Sequence, residues 1–349
     1  MSVWASSPPC PAWCRDDHRS DRHHDDQHRR KRSMTALRIG TRGSALAVAQ
    51  SSLVLDRLAT ATGREVELVQ VTSEGDTSKA SLATIGGTGV FASALRSALL
   101  ADECDLLVHS LKDLPTAVHP GLTLGAIPAR ADARDALCAR DGLTLDQLPE
   151  GARVGTGSPR RVAQLKARRQ DLDVIDIRGN VDSRLARVGD DLDAVLLSAA
   201  GLARLGRLDA ATELLGLGFW PSAPGQGALA IEVREGDQPD DLAKGLRALE
   251  HRESRLLVTA EREVLAGLEA GCAAPIGATA VVDAGLLLLS ATVYRPDGTA
   301  RLTSSHGVTL EPGSLPNQLA EVHDVAGRVV DELLANGAAD LAPVGGGAQ

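Results

Sequence analysis

The stretch "RVGTGSPRRVAQLKARRQDLDVIDIRGN", residues 153–180, decides the fold. It opens with a short apolar run, breaks at small residues, turns helical and ends in a second apolar run. Ser158 is placed to cap the helix and Pro159 to open it, since proline at the first helical position gives up no hydrogen bond. The second run closes on Ile177-Arg178-Gly179-Asn180. A strand, a helix and a strand in this order form the repeating unit of a parallel sheet.

The same alternation extends from Leu37 to about Arg234. "LRIGTR", "EVELVQVT", "DLLVHS", "LTLGAIP", "RVGTGS", "DVIDIRG", "AVLLSAAGL" and "GALAIEVR" read as strands, with helices expected over 44–62, 91–103, 158–169 and 180–189. So many strands over such a length suit two α/β domains with largely parallel sheets better than one. After Arg234 the pattern changes. Residues 251–271 keep a helical period with Leu256, Leu257, Ala260, Val264 and Leu268 on one side, and Gly271 is a natural stop. "ATAVVD", "LLLLSATVYR" and "ARLTSSHGVTL" follow, joined by turns at 283–285 and 296–298, and a last helix is expected over 316–336. This third region reads as a small α+β domain. No internal repeat is evident.

Composition narrows the function. Aromatics are 2% of the 349 residues, so the cores must be built from Leu, Val, Ile and Ala. No apolar run reaches the roughly 18 residues of a membrane-spanning helix. A net charge of −9 speaks against a nucleic-acid partner, which needs a basic face. Five scattered cysteines do not suggest a disulfide framework, and a reducing, cytoplasmic setting is expected. Residues 1–33 are rich in His, Asp and Arg and lack hydrophobic period. Cys10, Cys14, His18, His23, His24 and His28 could be read as metal ligands, but disorder or a spurious extension is the plainer reading, with Met34 as the start. No metal is expected.

Three strand ends share one chemistry. At Gly40-Thr41-Arg42-Gly43-Ser44 a strand stops, Arg42 projects and Ser44 can cap the next helix. At 155–161 free backbone N–H groups and the positive helix pole would face an anion, with Arg160 and Arg161 beside them. At 177–180 Arg178 is followed one helical turn later by Arg184. Ligands of open parallel sheets bind at the carboxyl ends of strands, and arginine there favours a bidentate grip on carboxylate or phosphate. A phosphate-binding GxxxxGK[ST] loop is absent, and "GTGSPR" has Arg160 where a third dinucleotide glycine belongs.

"HSLKDLP", residues 109–115, places Asp113 at another strand end. As a surface ion pair with Lys112 it would contribute little. Among anion-binding arginines, a carboxylate suits a substrate that becomes cationic during reaction. At about 4 Å and an effective dielectric near 20 such a pair is worth about 4 kcal/mol, roughly a thousandfold in rate. Cys272 lies in "EAGCAAPIG", residues 269–277, past a helix end whose negative pole disfavours a thiolate, with no neighbouring base. From the residues alone a buried structural cysteine is the favoured reading.

With these motifs in hand the chain resembles the porphobilinogen deaminase family, also called hydroxymethylbilane synthases. The resemblance runs from Leu37 to about residue 340 through "RIGTRGSALA", "HSLKDLP", "GTGSPRR", "IRGN" with Arg184, "AAGLARLG", "APGQGALAIE" and "LEAGCAAPIG". It implies a transferase of tetrapyrrole and heme biosynthesis that joins four porphobilinogen molecules head to tail, losing ammonia each time. It implies two doubly wound α/β lobes like those of type II periplasmic binding proteins, plus the α+β domain. The division expected is an extension over 1–36, domain 1 over 37–130 and 227–246, domain 2 over 131–226, and domain 3 over 247–349.

By the same resemblance Cys272 carries a dipyrromethane cofactor through a thioether, and Asp113 is the catalytic aspartate. Lys112, Ser158, Arg160, Arg161 and Arg184 hold the cofactor. Arg42, Ser44, Phe91, Arg178 and Gln226 hold the substrate. The expected partner is porphobilinogen alone, and the expected state a monomer. The chain departs from the family in having no lysine in the loop over 84–91 and Gly157 in place of a serine. Two other classes compete. A two-lobed binding protein for an anionic ligand explains the arginines, but not the third domain, and would carry an export signal. A cysteine hydrolase would need His109 as its base.

Overall fold

The structure is a computed structural model that describes residues 36–72, 90–270 and 274–342, apart from the side chains of Val90 and Phe91. The expectations for the N-terminal extension, the lysine-free loop, the Phe91 side chain and Cys272 lie outside the described residues.

The first lobe begins with β1 (Leu37–Thr41), α1 (Ala45–Thr62), β2 (Val66–Gln70), α2 (Val90–Leu100), β3 (Leu106–Ser110) and β4 (Leu122–Ala126). The chain then crosses to β5 (Asp135–Ala139), β6 (Arg153–Gly155), α3 (Pro159–Arg168), β7 (Asp173–Ile175), α4 (Val181–Leu185), β8 (Ala194–Ser198), α5 (Ala199–Arg204) and β9 (Glu213–Leu215). It returns through β10 (Leu229–Arg234) and α6 (Asp240–Leu249). The third part comprises α7 (Arg252–Gly267), β11 (Ile276–Asp283), β12 (Leu286–Tyr294), β13 (Arg301–Thr309), α8 (Leu315–Ala335) and α9 (Ala338–Leu341).

The strand orders are β2-β1-β3-β10-β4 and β7-β6-β8-β5-β9. Each lobe has three parallel strands, then one antiparallel strand taken from beyond a crossover: β10 against β3 and β4, and β5 against β8 and β9. The lobes thus share one topology that leaves no trace as a sequence repeat, and their sheets are largely parallel as expected, with one antiparallel strand in each. The third sheet, β11-β12-β13, is the expected antiparallel meander.

Sequence periodicity misses β5, β9 and α6. The β5 segment "DALCA" is buried at every residue, so it has no alternation to read, and β9 spans three residues. The run read as a strand over 194–202 ends at Ser198, whose side chain accepts a hydrogen bond from Gly201 N and starts α5. Helix α6 passes through the boundary expected at residue 246 and places Leu242, Leu246 and Leu249 in one cluster with Val54 and Leu58 of α1. In the third part, Leu256, Ala260 and Val264 of α7 meet Val322, Val325 and Val329 of α8 over the sheet. Among the described residues no helix is long and apolar enough to cross a membrane.

The two crossovers touch. Ala131 N donates to Gly227 O at 3.2 Å, and Arg204 Nη2 donates to the same carbonyl at 2.6 Å. Gly227 has φ +88°, and a Cβ there would lie 2.4 Å from Ala131 O. Gly142 has φ +71° with nothing near its missing Cβ. Gly142→Ala should therefore cost about 1 kcal/mol in denaturant unfolding, from left-handed strain alone. Gly227→Ala adds a backbone clash and should cost about 3 kcal/mol; equal losses at the two positions would refute the close packing of the crossovers.

Candidate active site

The chain leaves β3 in a single 3-10 turn, Leu111–Asp113. Leu111 is fully buried and anchors the turn, while Asp113 is exposed. Arg262 of α7 holds the turn from outside: its guanidinium donates to Leu111 O, Leu114 O and Pro115 O at 3.1, 2.8 and 2.7 Å. Lys112 Nζ donates to Gln226 Oε1 at 3.2 Å. Burial pushes the Lys112 ammonium down to about 8, with Asp113 opposing and Arg161 and Arg160 adding to the effect.

Gln226 joins the lobes. It lies on the returning crossover, and its Nε2 donates to Ala133 O and Asp135 Oδ1, both at 2.8 Å. Asp135 begins β5 and is wholly buried. Its carboxylate takes Arg160 Nη2 at 2.9 Å, Arg161 Nη2 at 2.7 Å and Trp220 Nε1 at 2.9 Å. Burial alone would raise its pKa, but the Arg160 and Arg161 charges overcome this and hold it far below the usual carboxylate range.

Arg160 and Arg161 open helix α3, where Ser158 accepts from Arg161 N and Pro159 takes the first position, as the sequence implies. Both arginines are almost fully buried, not projecting from a surface. Arg160 Nη1 also donates to Gln164 Oε1 and Pro221 O, and Arg161 Nη1 to Leu196 O. The Nε of each is buried without a hydrogen-bond partner. Gly157 belongs to this packing, since a Cβ there would lie 2.7 Å from Ile177 O. Arg184 donates through Nε to Gly179 O at 2.8 Å; burial and the neighbouring charges of Arg161 and Arg178 lower its pKa. Arg178 is half-buried at the end of the β7 connection. Arg42 and Ser44 stand at the end of β1, with Ser44 capping α1 through Ala47 N at 3.3 Å.

A cleft is lined by Lys112, Ser158 and Arg160 together with Ala223, Pro224, Leu265, Ala274 and Ile276. All three parts of the chain contribute to it, and Ala274 lies two positions from Cys272. Cationic and small apolar side chains around one cleft suit an apolar ligand that carries carboxylates. His109 is not at this cleft. It is buried against Glu232, Nε2 to Oε2 3.3 Å, and Glu232 also takes Arg96. That placement removes the base a cysteine hydrolase needs. Burial pushes the thiols of Cys104 and Cys138 up to about 11, the opposite of nucleophile activation.

Sequence reading missed Asp135, Arg204, Glu261 and Arg262. Asp135 lies in a run that carries no periodic or motif signal of its own, Arg204 lies within "AAGLARLG" but was given no role there, and Glu261 and Arg262 are hidden in a regular helix. The fully buried Glu261 takes both Arg130 Nη atoms at 2.8 and 2.9 Å, Gly225 N at 2.8 Å and Ala280 N at 3.0 Å.

The Asp135 clamp has a stability signature. A carboxylate with a depressed folded pKa contributes stability fully present above its unfolded value, about 3.9, and lost as pH falls through the lower folded value. Asp135→Asn should therefore destabilise the protein by about 3 to 5 kcal/mol at neutral pH, the cost of unpairing buried charges. In urea unfolding the gap to wild type should stay level down to about pH 5 and narrow below about pH 4. A pH-independent gap through that window would rule out the clamp.

Comparison with known proteins now bears on this geometry. The family model described as porphobilinogen deaminase, dipyromethane cofactor binding domain, matches residues 37–240. That for the porphobilinogen deaminase C-terminal domain matches residues 255–322. A porphobilinogen deaminase of Leifsonia xyli subsp. xyli is 63% identical over 319 residues, 90% of this chain and 97% of the relative. One of Cutibacterium acnes is 51% identical, over 88% of this chain and 97% of its own length. Among solved structures, an ABC transporter periplasmic substrate-binding protein from Coxiella burnetii superposes with a TM-score of 0.41 at 15% identity, covering 61% of this chain and 91% of that one. Two family models in register with the lobes and the third domain, and relatives matched over nearly their whole length, leave one assignment: the chain belongs to the porphobilinogen deaminase family.

Proposed function

We infer that this chain performs the family's reaction, joining porphobilinogen units head to tail with loss of ammonia and releasing hydroxymethylbilane. One observation carries the reading at the level of the site: Lys112 and Arg160 line one cleft beside the turn that bears Asp113, with the charge of Arg161 close enough to act on Lys112. Porphobilinogen bears an acetate and a propionate, so its oligomers need cations, and loss of ammonia leaves a cationic ring that needs an anion. Both are at hand within a single chain, which supports a monomer.

The residues present fit a dipyrromethane. The partnerless Nε atoms of Arg160 and Arg161, with Lys112 and Ser158, would hold its carboxylates, while Pro224, Leu265 and Ile276 would bound its rings. Bound there, the cofactor supplies the terminal pyrrole carbon to which the first substrate is joined. Cys272 is its anchor in this reading, since Ala274, two positions on in the sequence, lines the cleft. The exposed carboxylate of Asp113 stabilises positive charge at pyrrole nitrogens and moves protons there. Arg178 and Arg184 add further cations, and Arg42 and Ser44 receive substrate from the end of β1. Gln226 has its amide nitrogen engaged by Ala133 and Asp135, so any substrate contact falls to its carbonyl oxygen, in competition with Lys112. The rival two-lobed binding protein accounts for the lobes but assigns nothing to a third domain that closes the cleft with Leu265, Ala274 and Ile276.

Intact-mass measurement tests the reading. Purified protein should weigh two pyrrole rings more than its polypeptide, and Cys272→Ser should lose that excess. Asp113→Asn should keep it and turn over roughly a thousandfold more slowly. A bare wild-type mass that stays bare after incubation with preformed tetrapyrrole would leave only the binding-protein reading standing.

Lys112 predicts a pH dependence. Its depressed pKa means the cleft loses one positive charge as pH rises through about 8. kcat/KM for porphobilinogen should decline above that point. Arginine stays protonated there, so Lys112→Arg should hold its own plateau beyond about pH 9. Parallel alkaline limbs in the two proteins would exclude Lys112 as the titrating group.

A further inference from the structure

Arg262 stands on α7, ten positions before Cys272 in the sequence. Its fork takes three carbonyls, Leu111 O, Leu114 O and Pro115 O, which bracket Lys112 and Asp113. Inside the turn, Leu114 N bonds to Leu111 O at 3.1 Å. A turn of three residues is weakly held by its own bonding and gains its position from whatever binds its carbonyls. The next residue back, Glu261, fixes α7 itself by its buried bonds to Arg130, Gly225 N and Ala280 N. The arm that reaches the turn is therefore mounted on a rigid base.

We propose that Arg262 is a positioning residue, which sets the Asp113 turn against helix α7 of the third domain. The proposal rests on the catalytic reading of Asp113 given above. Arg262 acts through the backbone of the turn. A displacement of about 1 Å at a reacting group costs up to a hundredfold in rate, so loosening this grip lowers turnover without emptying the cleft. The planar fork suits three carbonyls on one side. A lysine reaches fewer of them and restores part of the grip.

The test uses the full-length holoenzyme with Arg262→Met and Arg262→Lys, each alone and combined with Asp113→Asn. Intact mass, kcat, KM and amide hydrogen exchange over residues 111–114 are read for each. Arg262→Met is expected to keep the two-ring mass excess and a KM within about threefold of wild type, while kcat falls about 30- to 100-fold. Amide exchange in the turn should rise at least about tenfold, and Arg262→Lys should lie between the two proteins in both readouts. In the Asp113→Asn background, Arg262→Met should lower kcat by less than about twofold, because residues acting as one unit are not additive.

Unchanged exchange, or a full multiplicative loss in the double variant, overturns the proposal and leaves the reading of Asp113 in place. Wild-type turnover in Asp113→Asn alone removes the catalytic reading and the proposal with it, while the exchange data still report what holds the turn. If Arg262→Met does not fold, Arg262→Lys decides: an intermediate kcat at unchanged KM supports the proposal, and wild-type kcat with wild-type exchange refutes it.

Discussion

The architecture depends on one buried carboxylate. Glu261 is wholly buried, and four N–H donors reach it: two from Arg130, one from Gly225 and one from Ala280. Arg130 lies where the chain leaves the first lobe, Gly225 where it comes back from the second, and Ala280 on the sheet of the third part. Desolvating a carboxylate is costly, and only a complete set of donors offsets the cost. The third part is therefore joined to both crossovers by an interaction that tolerates no missing partner. Because α7 is held this way, its next residue, Arg262, and its C-terminal end are held as well.

The cleft balances charges with similar economy. Arg160 and Arg161 are adjacent on a helix start and would repel one another if left alone. Asp135 accepts from both, keeps them buried at fixed geometry and leaves the cluster positive even before Lys112 is counted. Gln226 joins Lys112 to Asp135 without adding charge, so the two lobes are connected through a neutral bridge. Such preorganisation means that a carboxylate-bearing ligand meets its cations already in place.

The parts of the fold that were legible in the sequence are those where a local rule suffices. Ser158-Pro159 announces a helix start, and α3 begins there. The turns at 283–285 and 296–298 announce hairpins, and β11, β12 and β13 are joined at them. Asp113, Arg160 and Arg178 could be singled out because strand ends are where such sheets bind ligands. Local rules failed where burial removes the pattern. The fully buried β5 has no alternating face. The antiparallel insertion of β5 and β10 is a long-range choice that no segment records. Asp135, Glu261 and Arg262 look like ordinary charges in the chain, because their partners lie 26, 131 and 151 positions away.

By itself, then, the sequence determined the local elements, the third domain's meander, the family and the motif residues, since each of these follows from neighbours within a few positions or from a fixed run of letters. Tertiary structure alone decided which charges are buried and what each one faces. It made Arg160 and Arg161, expected beside an incoming anion, a buried pair held by Asp135, took His109 away from the cleft to Glu232, and placed Arg262 on the turn of Asp113. The physical reason is that a charge acquires its role from the dielectric around it and the partner opposite it, and both are supplied by segments distant in the chain.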